Sequence, residues 1–137
     1  MRQLVLLDLP WRVSDEDRPS LGHASLLASL RTKSQVEVIP ISAPVNRIGF
    51  SVKGLVATVL DVFQGVPSAD ADVAMGVFVW NDSAVRGLIA LLRETGFRGR
   101  IILGGPQITY AALGIETDYL GADVFIRGQA ESALREV

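Results

Sequence analysis

The feature that most constrains this chain is the repeated alternation of short apolar runs with segments of helical periodicity. Four runs carry little polar alternation: Gln3–Leu9, Val36–Ile41, Val73–Trp80 and Ile101–Leu103. Ala122–Arg127 is a weaker fifth. Continuous apolar runs of this length suit strands buried on both faces, the pattern of a parallel sheet. Between them, Pro19–Arg31 places Leu27 and Leu30 on one stripe. Val52–Phe63 does so with Val52, Leu55, Val56, Val59, Leu60 and Phe63, and Ser83–Thr95 with Val85, Leu88, Ile89 and Leu92. Gln107–Leu113 predicts a short fourth helix, and Gln129–Val137 begins a fifth. Asp17 or Ser20 is suited to cap the first helix, Asn81 or Asp82 the third, and Gly96 to end the third.

Strand followed by helix, in units of about 28 residues, is the length of one βαβ step. Right-handed crossovers then place helices on both faces of the sheet. The expected fold is α/β, a flavodoxin-like three-layer sandwich with five parallel strands in the order 2-1-3-4-5. Residues 1–137 are expected to form one domain.

Composition narrows the chemistry. The net charge of −2 gives no electrostatic reason to bind nucleic acid or an anionic membrane. No apolar stretch has the length of a membrane span, and the opening run is too short for a signal peptide, so a cytoplasmic protein is expected. With no cysteine there is no disulfide, thiolate nucleophile or Cys-held metal cluster. His23 is the single histidine, so no metal site is expected. It falls on the stripe with Leu27 and Leu30 and reads as a packing residue.

Ligands of such sheets bind beyond the carboxyl ends of the strands. Strand one is followed by Pro10-Trp11, strand three by Trp80-Asn81-Asp82, strand four by Gly104-Gly105-Pro106 and strand five by Gly128-Gln129-Ala130-Glu131. Two glycines allow a ligand or a neighbouring backbone to approach closely, and Pro106 suits the first position of a helix. A plain strand-to-helix turn needs the same residues. Glu131 suits the positive end of a helix whether or not a ligand is near.

These stretches together resemble the cobalamin-binding domain that precedes the barrel of cobalamin-dependent radical SAM enzymes. Pro19-Ser20-Leu21-Gly22 and the leucines after it look like that family's Pro-x-Leu-Gly-Leu helix. Trp80-Asn81 is similar to its third-strand ending, Leu103-Gly104-Gly105-Pro106-Gln107 to its Leu-Gly-Gly-Pro-Glu, and Asp123–Glu131 to its Asp-x-Val-x-x-Gly-Glu-Gly-Glu. The likeness runs from about Arg2 to Glu136. Gln129, Ala130 and His23 depart from the pattern.

The resemblance implies a cofactor-binding set of Pro10, Trp11, Leu21, Gly22, Trp80, Asn81, Gly104, Gly105, Pro106, Gly128, Gln129 and Glu131, with no catalytic residue in this chain. It implies cobalamin as the cofactor. A radical SAM barrel, in cis or in trans, would be the partner, and the whole enzyme would be a methyltransferase. The iron–sulfur cluster and S-adenosylmethionine would enter only through that absent domain, because Cys-x-x-x-Cys-x-x-Cys does not occur here. The stop at Val137, a turn or two into the fifth helix, is expected to mark an excised domain or one module of a split system. Many cobalamin proteins carry Asp-x-His-x-x-Gly after strand one. Only Asp8 of Asp8-Leu9-Pro10-Trp11-Arg12-Val13 matches, so the nucleotide tail is expected to lie off the cobalt with no loop histidine below it.

Three other readings share the fold. A phospho-acceptor receiver would use Asp8 and Asp82, but it needs a lysine after strand five, where Arg127, Gly128 and Gln129 stand. A flavin binder needs a Ser/Thr/Gly-rich loop after strand one, and Pro10–Asp17 is charged and has no glycine. A non-catalytic interaction module that has lost its ligand would use Trp11 and Trp80 as partner contacts.

Overall fold

A computed structural model describes residues 2–12, 35–111 and 114–128. The expected first helix with Leu21, Gly22 and His23, its candidate caps Asp17 and Ser20, and the segment from Gln129 to Val137 with Glu131 lie outside the described residues. The elements run β1 (Arg2–Asp8), β2 (Val36–Ser42), α1 (Val52–Val62), β3 (Ala71–Gly76), α2 (Asp82–Glu94), β4 (Arg100–Gly104), α3 (Pro106–Thr109) and β5 (Val124–Phe125). Short 3₁₀ turns at Ser68–Asp70 and Ile115–Thr117 precede β3 and β5. All strand pairings are parallel and the order is β2-β1-β3-β4-β5, the flavodoxin-like arrangement that the alternation predicts.

The two faces of the sheet follow from strand alternation. Val5 and Leu7, Val73 and Met75, and Ile101 and Leu103 point to one face, where α1 and α2 cover them in the main core. Val85, Leu88, Ile89 and Leu92 of α2 are at most 1% exposed. Each such burial contributes roughly 1.5–3 kcal/mol. Leu4, Leu6, Ala74, Ile102 and Ile126 form a second buried cluster on the opposite face. Pro40 sits in β2, an outer strand of the sheet, where a missing N–H is tolerated.

Helix ends form as their residues dictate. Ser51 caps α1 by accepting from the Gly54 N–H at 2.9 Å. Beyond α2, Gly96 adopts φ +102°, the Phe97 N–H reaches the Leu92 carbonyl and the Gly96 N–H the Arg93 carbonyl. That is the paired bonding of a Schellman stop, and it requires a residue tolerant of left-handed backbone.

Three elements differ most from expectation. Strand three stops at Gly76 rather than Trp80, because the Phe78 N–H is taken by the Asn81 side chain and the chain turns. The apolar run continues through that turn, which is why it reads as strand. The fourth helix is one turn, Pro106–Thr109, and Tyr110 and Ala111 of the expected Gln107–Leu113 are not helical, its last two residues lying outside the described residues; β5 pairs over only two residues. No described helix is long and apolar enough to cross a membrane.

Candidate functional site

The strand order reverses between β1 and β3, so the crevice that this sheet offers lies beyond their carboxyl ends. Hydrogen bonds lace all five ends together there. Past β1 and β2 the ladder continues through irregular chain: the Ala43 N–H donates to the Asp8 carbonyl at 2.8 Å and the Val45 N–H to the Pro10 carbonyl at 2.9 Å. Asn46 then imitates one more rung. Its side-chain oxygen accepts from the Arg12 N–H and its amide nitrogen donates to the Arg12 carbonyl. Pro10 and Trp11 are thereby held at the rim.

Asn81 joins β1 to β3. It is 1% exposed; its oxygen accepts from the Phe78 N–H at 2.8 Å, and its nitrogen donates to the carbonyls of Leu9 at 3.2 Å and Gly76 at 3.1 Å. Burying an amide is tolerable only with its bonds made, and these bonds are all internal. Asn81 therefore fixes the ends of β1 and β3 relative to each other. It also begins α2 with no side-chain capping bond, since its amide is spent backwards.

Gly105 joins β3 to β4. The Val77 N–H donates to the Gly104 carbonyl at 2.7 Å, and the Gln107 N–H to the Val77 carbonyl at 3.1 Å. Gly105 has φ +90°, and a Cβ there would lie 2.9 Å from both the nitrogen and the oxygen of Val77. The close approach that the paired glycines allow is thus, at Gly105, an approach of protein backbone. Gly104 differs: a Cβ would meet the Ile126 carbonyl at 3.7 Å and the Ile126 Cβ at 4.0 Å, both ordinary contacts. Pro106 occupies the first turn of α3, as its residue type suits.

At the last link the Ile126 N–H, just past β5, donates to the Leu103 carbonyl of β4 at 2.8 Å, and the chain at the end of α3 is tied to the chain after β5. The Gly128 N–H donates to the Thr109 hydroxyl at 3.1 Å, and the Arg127 guanidinium to the Ala111 carbonyl at 2.7 Å. Pro10, Trp11, Trp80, Asn81, Gly104, Gly105, Pro106 and Gly128 accordingly share one end of the sheet. Leu21, Gly22, Gln129 and Glu131 lie outside the described residues.

The rim is aromatic and apolar. Trp11 is 59% exposed and Trp80 46%, with Val79, Ile48 and Tyr110 also exposed. Phe78 is stacked on Trp80, with ring centroids 4.6 Å apart and planes 12° from parallel. Phe78, Asn46 and Thr109 are the participants that sequence reasoning passes over. Phe78 hides within an apolar run, while a hydroxyl and an amide in a loop are ordinary solvent-facing residues until their partners are known.

Electrostatics at this end are local. Asp8 is buried, and the Ser42 hydroxyl donates to it at 3.4 Å. Asp82 accepts from the Tyr119 hydroxyl and pairs with Arg86 at 2.9 Å, whose guanidinium lies 4.5 Å over the Tyr119 ring. Burial first, and then the bond to Asp82, raise the Tyr119 phenol above its ordinary value. Among the described residues no three or more His, Asp or Glu side chains group as metal ligands would. No family model matches the chain, and no curated protein matches it significantly.

Proposed function

We propose that this chain is a cobalamin-binding module of the kind that serves a cobalamin-dependent radical SAM methyltransferase, holding the cofactor with its nucleotide tail off the cobalt. The observation that carries the reading is the pair of half-exposed indoles, Trp11 and Trp80, on the two loops that flank the reversal of strand order. The corrin face is broad and apolar, and its edge bears amide side chains. It suits an aromatic rim backed by exposed loop backbone.

The residues present fit the group. A Cβ at Gly104 would meet only ordinary contacts with Ile126, and a Cβ at Gly128 would meet no described atom within 4 Å. Pro10 stands in the loop where many cobalamin proteins carry their ligating histidine, and it offers no imidazole. When bound, cobalamin supplies cobalt-centred methyl-transfer chemistry. This chain's own part is to seat the ring, exclude water with Trp11 and Trp80, and keep the loops fixed through Asn81 and Asn46.

The test is a titration of the protein with hydroxocobalamin, read in the visible spectrum. A saturable shift is expected at micromolar protein. After reduction to the cobalt(II) state, its paramagnetic resonance spectrum should lack nitrogen splitting from an axial base, and His23→Leu should leave the result unchanged. Absence of any spectral shift would sink the reading. A second reading is favoured by the exposure of Ile48, Val79 and Tyr110 around the same rim, an apolar set that a protein partner would cover. It takes the first reading's place if the spectrum does not move.

A further inference from the structure

We infer that Phe78 is a positioning residue that presets the Trp80 indole as the flat face on which the conjugated ring of the bound cofactor lies. The inference rests on the cobalamin reading for the identity of that ring, and on geometry alone for the role of Phe78.

The geometry begins at Gly76. A Cβ there would lie 3.0 Å from the Phe78 ring, so the absence of a side chain at Gly76 is what lets the phenyl group seat against the end of β3. The Phe78 backbone cannot move away, because Asn81 accepts its N–H while also bonding Leu9 and Gly76. Phe78 is half-buried and nearly parallel to Trp80 at stacking distance. One face of the indole is therefore covered by phenyl, and the exposed area of Trp80 belongs to the rest of the ring system. Trp11 has no ring partner of this kind among the described residues. A tryptophan already held in one orientation loses less rotamer freedom when a planar ligand stacks on it. Stacked aromatic contacts are worth about 1 kcal/mol beyond their area.

The test compares Phe78→Leu, which keeps apolar bulk over Gly76 without a flat ring, with Phe78→Tyr, which restores the ring. In a Trp11→Phe background Trp80 is the sole tryptophan, and its near-ultraviolet circular dichroism reports whether the indole is fixed. Phe78→Leu should lose the tryptophan fine structure while far-ultraviolet dichroism stays intact, and Phe78→Tyr should keep it. Hydroxocobalamin should bind about fivefold more weakly to the Leu variant and normally to the Tyr variant. Retained fine structure in Phe78→Leu would overturn the positioning role. Lost fine structure with unchanged affinity would overturn Trp80 as the stacking face. If the unsubstituted protein gives no cobalamin spectrum, the cobalamin reading falls and the stacking step falls with it, while the dichroism pair still decides whether Phe78 sets the indole.

Discussion

The two ends of this one sheet are closed by different means. At the amino end, charged side chains do the work. Asp72, 4% exposed, receives both Arg2 and Arg100 at 2.8–3.0 Å, each through two nitrogens. Arg93 pairs with Asp123 nearby at 2.7 Å. At the carboxyl end the closures are mostly backbone bonds and one buried amide, with glycine where chains must touch and indoles left at the rim. An end sealed by ion pairs has little left to offer a ligand. An end sealed by backbone keeps its side chains available, which is the physical sense of ligands gathering there.

Gly105→Val should have the largest effect. It adds a β-branched side chain at φ +90° against the Val77 backbone. A loss of at least about 3 kcal/mol is expected in urea unfolding, from strain and steric overlap together. Retained stability would mean that the β3 and β4 ends are not locked as described.

Asp72→Asn attacks the other end. It leaves two guanidiniums facing a neutral amide, and since both arginines are about a third exposed the cost should be about 2–3 kcal/mol. Hydroxocobalamin binding should be unaffected, because the change lies at the opposite end of the strands. A loss of binding without unfolding would couple the two ends.

The two ends should also respond to opposite extremes of pH. Burial works to raise the Asp72 pKa, but the guanidiniums of Arg100 and Arg2 outweigh it and hold the carboxyl below its usual range. Its contribution is therefore present above the unfolded value of about 4 and is lost as pH falls through the folded value. Tyr119 is raised, so its contribution is present below the unfolded value of about 10 and is lost as pH rises through the folded value. Unfolding free energy measured across pH should fall at both extremes. Asp72→Asn should flatten the acid limb, and Tyr119→Phe the alkaline limb at a cost of about 1 kcal/mol near neutral pH.

Gly104→Ala should have the smallest effect on stability, within about 0.5 kcal/mol, because the added methyl meets only an ordinary contact. It should still weaken hydroxocobalamin binding. That split between stability and binding would separate Gly104 from Gly105, two neighbours that look alike in sequence. Equal effects of the two substitutions on unfolding would erase the distinction.

Much of the fold is legible in the residues. Continuous apolar runs such as Leu4–Leu7, short and set between helical stripes, suit strands buried on both faces. The stripe Val85, Leu88, Ile89 and Leu92 can only be a helix lying on them, and short connections leave the strand order few alternatives. Gly96 and Pro106 mark helix boundaries because their backbone restrictions are local. The reach of strand three, the single turn of α3 and the two-residue β5 are not legible, since each is set by bonds to distant chain. The Asn81 amide ends the strand by taking the Phe78 N–H while reaching back to Leu9 and Gly76.

The sequence by itself determined the α/β class and the parallel sheet, because periodicity and turn chemistry act over a few residues. The tertiary structure alone decided which glycine accommodates backbone and which has room beside it. It also decided that Asn81 ties the ends of β1 and β3 together and that Phe78 backs Trp80. Those roles depend on what stands across the sheet, and a side chain's partners 28 or 72 residues away leave no trace in its own neighbourhood.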